Sequence, residues 1–135
     1  MNKTMRILFW LFVLTSTVLA QPKGADITFN TDNHDFGIIE EAKGKVTYRF
    51  DFKNKGTAPL VINDVESSCG CTTPEWPRKP ILPGESGYIL AIYDPKNRPG
   101  KFEKTITISS NAAGEKATYI LTITGNVIPP DNKYN

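Results

Sequence analysis

Polar and apolar side chains alternate along much of the chain, and this period of two predicts β-strands. The clearest run is VTYRFDFK, residues 46–53, in which every second side chain is apolar. Residues 105–109 and 118–124 follow the same pattern, although Ile120 interrupts the polar side of the second run. A strand with one buried and one solvent-facing side produces this alternation.

Shorter apolar runs raise the expected number of strands to about seven. GYILAIY, residues 87–93, is apolar on both sides and predicts a central strand, and PLVINDV, residues 59–65, predicts another. DITF and FGII are short candidates near the start. No stretch repeats the apolar spacing of a helix. The pattern therefore predicts an all-β sandwich, with a single closed barrel of similar size as the alternative.

Glycine, proline and asparagine mark the turns between these runs. Asn54 and Gly56 suit a turn that needs positive backbone angles, and Gly37 allows a bend where the first strand changes partner. The residues assigned to structural turns are Gly37, Asn54, Gly56, Gly70, Pro83, Gly84, Pro99 and Gly100.

The first 20 residues have the layout of a secretory signal peptide. Lys3 and Arg6 precede the apolar run ILFWLFVL, and small residues follow as far as Ala20. The apolar run is shorter than the ~20 residues that a membrane-spanning helix needs. We predict cleavage after Ala20 and a single domain over residues 21–135. A periplasmic or otherwise extracytoplasmic location, with no transmembrane helix left, follows.

Removal of this leader changes the charge balance. The whole chain has 16 Lys and Arg against 14 Asp and Glu, so loss of Lys3 and Arg6 leaves 14 of each and a net charge of zero. A balanced charge argues against a nucleic-acid-binding domain. Export would also place the two cysteines in an oxidising compartment, where a disulfide is permitted.

Prolines recur at every third position between residues 74 and 83. A polyproline helix has three residues per turn, so the prolines would line one ridge and could bind a partner. The alternative is a stiff crossover between sheets, or an edge that cannot pair with a neighbour. Trp76 lies within this segment and is an anchor for a partner if it is exposed. The candidate partner-binding residues are Trp76, Pro74 and Pro77.

Cys69 and Cys71 are separated by one glycine in the segment ESSCGCTTPEWP. In an extended strand their α-carbons would lie ~6.6 Å apart, close to the upper limit of about 6.8 Å for a disulfide. Gly70 can adopt unusual angles and bring them closer. The bond would close a very short ring and stabilise the fold little. The pair is therefore open to three interpretations: a structural corner, a redox or metal site, or part of a partner-binding surface.

The redox and metal interpretations have little support from neighbouring residues. The nearest cations along the chain are Arg78 and Lys79, and the Cys-x-x-Cys spacing is absent. Two thiolates could hold Cu(I), with His34 as a candidate third ligand, but a tetrahedral zinc site needs more ligands than the chain offers. A lone histidine is more often a hydrogen-bonded turn residue. We expect no cofactor.

No catalytic constellation is visible in the sequence. There is no glycine-rich phosphate loop and no Gly-x-Ser-x-Gly turn, and the single histidine has no convincing partners for a triad. The carboxylates fall mainly on solvent-facing sides of strands or in turns. We therefore do not expect an enzyme.

Residues 34–111 closely resemble the bacterial family named domain of unknown function 1573. The shared marks are DFG, the strand ending in NKGTAPL, the SCGCT centre, PG before a strand, and RPGKFEKTITISSN. The resemblance implies an exported immunoglobulin-like antiparallel β-sandwich, similar to Hydin-like and major-sperm-protein-like domains, and it implies no known activity.

These observations favour a non-enzymatic interaction module in the cell envelope that binds a protein partner. The alternative is a periplasmic thiol-redox or Cu(I)-handling protein that uses Cys69 and Cys71.

Overall fold

A computed structural model of the protein describes residues 23–131, so the expected leader, residues 1–20, lies outside the described residues. Within this range the chain forms two short 3-10 turns, Glu41–Lys43 and Gly114–Ala117, and eight strands. The strands are β1 (Thr28–Phe29), β2 (Asn33–Glu40), β3 (Val46–Lys53), β4 (Ile62–Ser67), β5 (Thr72–Glu75), β6 (Ser86–Tyr93), β7 (Gly100–Ser110) and β8 (Thr118–Ile128).

The strands form two four-stranded sheets that pack as a sandwich. One sheet has the order β1-β3-β6-β5 and the other has the order β2-β8-β7-β4. The all-β sandwich predicted from the alternating pattern is confirmed, with one strand more than expected. One pair differs from the antiparallel arrangement, because β2 lies parallel to β8. In this order β2 forms one edge of the second sheet.

The alternating side chains of the inner strands meet between the sheets to form the core. Phe50 and Ile89 from the first sheet are fully buried, as are Ile108 and Leu121 from the second. The strand β6 is central, as its two apolar sides predicted. Its inward side is buried, and its outward side chains are only half-buried.

Two glycines inside strands make room for aromatic rings. A methyl group on Gly87 would overlap the ring of Phe52, its cross-strand neighbour. A methyl group on Gly125 would overlap the ring of Phe102 in the same way. In both cases the ring lies over the bare backbone of the neighbouring strand and compensates for the missing side chain.

The turn after β3 differs from the expected geometry, because neither Asn54 nor Gly56 has a positive φ. Asn54 is fully buried. Its amide donates to the carbonyl oxygens of Ala58 and Ile81, each at 2.8 Å, and its Oδ1 accepts from the backbone N–H of Asp26. Gly56 is required for space, since a methyl group would overlap the backbone of Gly24.

Other turn residues behave in different ways. Leu82 O accepts from Glu85 N at 2.9 Å, and Pro83 and Gly84 are the two middle residues of this turn. The φ of Gly84 is 83°, which is typical of a type II turn. Gly100 has a φ of 98° and is the first residue of β7. The turn before it spans residues 95–98, where Arg98 N donates to Pro95 O.

The expected bend at Gly37 is present, but the strand does not change partner there. Gly37 has a φ of 67° and lies at a register shift between Asp35 and Ile38 of β2. The strand pairs with β8 on both sides of this bulge. The bulge turns Ile38 toward solvent on the outer side of the sheet, while the next residue, Ile39, remains buried.

Candidate functional site

The cysteine pair lies at the corner where the chain passes from one sheet to the other. Cys69 and Cys71 fall between the end of β4 and the start of β5, and they are joined by a disulfide. Their α-carbons are 5.3 Å apart. This separation is shorter than that of an extended strand because the chain turns here, without a positive φ at Gly70.

Hydrogen bonds hold this corner from both sheets. Asp94 N donates to Cys71 O at 2.8 Å, and the Ser67 hydroxyl lies 2.7 Å from both the Cys69 and the Thr72 carbonyl oxygens. Thr72 N donates to Cys69 O at 3.4 Å. The corner is therefore fixed independently of the sulfur–sulfur bond.

The two cysteines have different surroundings. Cys71 is 2% exposed and belongs to the core, whereas Cys69 is half-buried. The backbone N–H of Cys71 donates to Cys69 Sγ at 3.3 Å. The Thr72 hydroxyl lies 3.9 Å from each sulfur. Of the two sulfur-bearing residues, Cys69 is thus the one that a solvent molecule or partner can approach.

Lys104 lies close to this corner, although it is far from the two cysteines along the chain. Ser67 pairs with Ile106, and Ser68 N donates to Thr105 O at 2.9 Å, so the register of β4 and β7 continues past the end of β4. Lys104 is the neighbour of Thr105 in β7, so its backbone lies beside the point where the chain leaves this sheet toward Cys69. Lys104 is half-buried.

The side chain of His34 packs among aromatic rings, and its role as a metal ligand stays a prediction. Its ring stacks on Tyr48, with ring centroids 3.6 Å apart, and meets Phe36 edge-on. Burial among these rings lowers the pKa of His34, although the Asp35 carboxylate opposes the shift. Among the described residues no cluster of three or more His, Cys, Asp or Glu could hold a metal ion. While the sulfurs are bonded to each other, neither is a thiolate that could bind Cu(I).

The candidate partner-binding residues are partly covered. Trp76 packs against the core, and the guanidinium of Arg78 lies 3.8 Å from its ring centroid. Pro74 lies within β5, which is an edge strand, and both Pro74 and Pro77 are half-buried. The first part of the proline segment therefore forms a sheet edge, and a binding role for these three residues stays a prediction.

A groove on the outer side of the second sheet was missed by sequence reasoning. It has a volume of about 580 Å³, its exposed lining is largely apolar, and Gly125 and Asn126 lie at its base in β8. The bulge in β2 forms one wall, where Ile38 is 70% exposed. The only signal in the sequence was the bend at Gly37, which does not reveal on which side the next residue lies.

An ion pair ties the start of the domain to the turn before β8. Lys116 Nζ donates to Asp26 Oδ1 at 2.8 Å, and the Thr28 hydroxyl donates to Asp26 Oδ2 at 2.6 Å. Burial raises the pKa of Asp26, but the hydrogen bonds and the positive charge of Lys116 outweigh it, so the net pKa is lowered. This arrangement stabilises the carboxylate and offers no general acid or base.

These observations define the protein as an all-β sandwich with a disulfide-linked corner. Residues 27–127 match the family described as protein of unknown function, DUF1573. The chain therefore belongs to this family, and the resemblance predicted from its motifs is confirmed. A search of curated proteins found no matching sequence.

Solved structures share the fold at low sequence identity. A protein of unknown function from Porphyromonas gingivalis W83 has a TM-score of 0.67 and 16% identity, over 83% of this chain and 51% of that one. The VesB protease of Vibrio cholerae has a TM-score of 0.62 and 15% identity, over 75% and 32%. The E. coli chaperone DraB has a TM-score of 0.50 and 13% identity, over 81% and 58%.

These likenesses establish the fold alone. The chain spans between 32% and 58% of the length of the three structures, so their activities belong to larger proteins. Within residues 23–131, no helix is long and apolar enough to cross a membrane.

Proposed function

We propose that the protein is an exported, non-enzymatic interaction module that binds a protein partner in the cell envelope. The proposed binding surface is the groove on the outer side of the sheet β2-β8-β7-β4. The observation that carries the proposal is the exposure of Ile38 at the rim of this largely apolar groove.

Ile38 is 70% exposed, the highest value among the large apolar side chains of residues 23–131. A second exposed isoleucine, Ile128, lies on the same side of the sheet, since Ile38 pairs with Asn126 two residues before it. A single exposed apolar residue is common on protein surfaces, but apolar residues that border a concave site are typical of binding surfaces.

The charges at the rim suggest the chemistry of the partner. Asp35 and Glu103 lie on either side of Thr124 at one level of the sheet, and Lys101 lies across Asn126 from Ile38. Two carboxylates against one ammonium group give the rim a net negative charge. We infer a polypeptide partner that inserts an apolar side chain next to a basic residue.

The strand edges are poor sites for strand addition, which favours binding through the groove. The strand β1 has only two residues, β5 contains Pro74, and β4 carries a register shift and exposed Asp64. In β2, the Thr31 hydroxyl donates to Asn33 O and accepts from Asn33 N. Short, charged, bulged or proline-containing edges prevent pairing with another chain.

Export is supported by two observations. The first 20 residues follow the signal-peptide pattern. The disulfide between Cys69 and Cys71 is of a kind that persists in oxidising compartments. Mass measurement of the protein from its native cells tests this part, because cleavage after Ala20 predicts a mature chain that starts at Gln21.

Site-specific photo-crosslinking tests the binding surface. A photoreactive residue at position 38 should give a discrete adduct with an envelope protein in the cells that produce the chain. Ile120 is the matched control, because it is 55% exposed on the same outer side at the other end of β8. The same residue at position 120 should give no such adduct.

The charge at the rim provides a second test of the binding surface. Glu103→Lys should weaken the adduct formed at position 38, since it reverses one of the two carboxylates. An adduct of twice the mass of the chain would show self-association and overturn the proposed partner. Equal adducts from positions 38 and 120, or none from position 38, would also contradict the proposal.

A further inference from the structure

The ring closed by the Cys69–Cys71 disulfide is too short for the bond to act mainly as a staple. The stabilisation expected from a cross-link falls with the length of the loop, from about 3 kcal/mol for 15 residues. The corner is also held by Asp94 N, which donates to Cys71 O, and by Ser68 N, which donates to Thr105 O. The sandwich should therefore stay folded when the bond is reduced.

The surroundings of the two sulfurs favour Cys69 as the reactive one. Cys71 is 2% exposed, so an incoming thiolate reaches Cys69 more easily. The Cys71 N–H also donates to Cys69 Sγ at 3.3 Å. A hydrogen-bond donor to sulfur stabilises the thiolate form, which is the reactive form in exchange.

Lys104 adds a positive charge on the same side of the corner. It neighbours Thr105, whose carbonyl oxygen accepts from Ser68 N just before Cys69, and among the described residues it makes no ion pair with a carboxylate. A nearby ammonium group stabilises a cysteine thiolate and increases its reactivity at neutral pH.

We propose that Cys69 and Cys71 form a reversible thiol–disulfide centre that exchanges with a dithiol protein, with Cys69 as the cysteine that forms the mixed disulfide. A thiolate of the dithiol attacks Cys69 Sγ, a new S–S bond forms, and the electron pair of the broken bond leaves on Cys71, which takes up a proton.

The second thiolate of the dithiol completes the exchange. It attacks the sulfur of its own chain in the mixed disulfide and releases Cys69 as the thiolate that the Cys71 N–H and Lys104 stabilise. The dithiol is oxidised to a disulfide and two electrons pass to Cys69 and Cys71; one of its two protons ends on Cys71 and the other goes to solvent, because Cys69 remains a thiolate. This centre does not depend on the groove beside Ile38, so failure of one proposal would leave the other unaffected.

Redox titration of the mature protein is the first test. We expect reduced and oxidised dithiothreitol to interconvert the disulfide and dithiol forms, while circular dichroism and the unfolding midpoint change little. Limited alkylation of the reduced protein, followed by peptide mass analysis, should modify Cys69 before Cys71. Reduction that occurs only with loss of the folded signal, or first modification at Cys71, would overturn the proposal.

The second test concerns Lys104. In Cys71→Ser protein, the reaction of Cys69 with an aromatic disulfide reagent should be about tenfold slower after Lys104→Gln at neutral pH and low salt. Lys53→Gln is the matched control, because Lys53 is exposed in β3, at the end of the first sheet away from the corner, and should leave the rate unchanged. Equal rates in both variants would contradict the role of Lys104. If Cys71→Ser does not fold, the same rates are measured on reduced wild-type cysteines by alkylation.

Discussion

The ring of Phe102 lies directly over Gly125 on the neighbouring strand and stacks on Tyr93 of the opposite sheet. The Phe102 and Tyr93 ring centroids are 3.9 Å apart, with an angle of 12° between the planes. Gly125 leaves the space that allows Phe102 to reach this position. The glycine therefore supports a contact between the two sheets that stacked aromatic rings stabilise.

Gly125→Ala is expected to destabilise the protein by about 1–3 kcal/mol, because the added methyl group overlaps the Phe102 ring in a packed interior. Denaturant unfolding measures this cost. In a Phe102→Ala background the ring is absent, so the same substitution should cost much less. Gly70→Ala is the control, since a methyl group there meets nothing within 4 Å. Equal costs of Gly125→Ala in both backgrounds would contradict the overlap.

The ion pair between Asp26 and Lys116 should make stability depend on pH in the acid range. Lys116→Gln is expected to cost about 1 kcal/mol at pH 7, since the lysine is partly exposed. The pKa of Asp26 is lowered in the folded protein, so its contribution is present above its unfolded value near 3.8 and is lost as pH falls through the folded value.

The difference between wild type and Lys116→Gln should therefore be constant from pH 5 to 7 and disappear at more acid pH. Denaturant unfolding at a series of pH values checks it. Lys45→Gln, at an exposed lysine, is the control for loss of one positive charge. A difference that persists unchanged at the lowest pH would show that the carboxylate does not carry the effect.

Seven of the strands were predictable because their signal is local, whereas β5, which contains Pro74, was not predicted. The runs around Phe50 and Ile108 alternate over neighbouring residues, and one buried side of a sheet is enough to produce that pattern. The parallel pairing of β2 with β8 was not predictable, because it joins residues about 90 positions apart. The role of Gly56 was also hidden, since the backbone of Gly24 that requires it lies elsewhere in the chain.

The candidate site likewise combines features with a local sequence signal and features that depend on distant parts of the chain. The spacing of Cys69 and Cys71 showed that a bond in a short ring was possible but left the state of the pair open, and the structure shows the disulfide. Arg78 is the nearest cation along the chain, whereas Lys104 comes near the cysteine corner only through the pairing of β4 with β7, which the local sequence does not reveal. Trp76 could not be placed as exposed or buried, since its environment depends on the edge of the sandwich.

Trp76 contributes to stability through its packing rather than through its indole N–H. The ring packs against the core, and the buried Nε1 has no hydrogen-bond partner among the described residues. Trp76→Ala should destabilise the protein by about 2–3 kcal/mol, while Trp76→Phe should cost much less because no hydrogen bond is lost. Thermal unfolding compares the two. A Phe variant as unstable as the Ala variant would contradict this interpretation.

Pro74 protects the free edge of the first sheet. Asp94 N donates to Cys71 O, so the ladder between β5 and β6 uses alternate residues, and Pro74 falls at a position where its nitrogen points away from β6. The Thr72 N–H, which points the same way, is already bound by Cys69 O. The cysteine corner and the proline together leave little for another strand to pair with.

Pro74→Thr restores an N–H at this edge and a residue that favours strands, so we expect concentration-dependent self-association. Sedimentation of the wild type and the variant over a range of concentrations measures it. Pro77→Thr is the control, because Pro77 lies beyond the end of β5 and should leave the protein in its original state. Association of both variants would assign the effect to lost stiffness of the proline segment, and association of neither would show that another feature protects the edge.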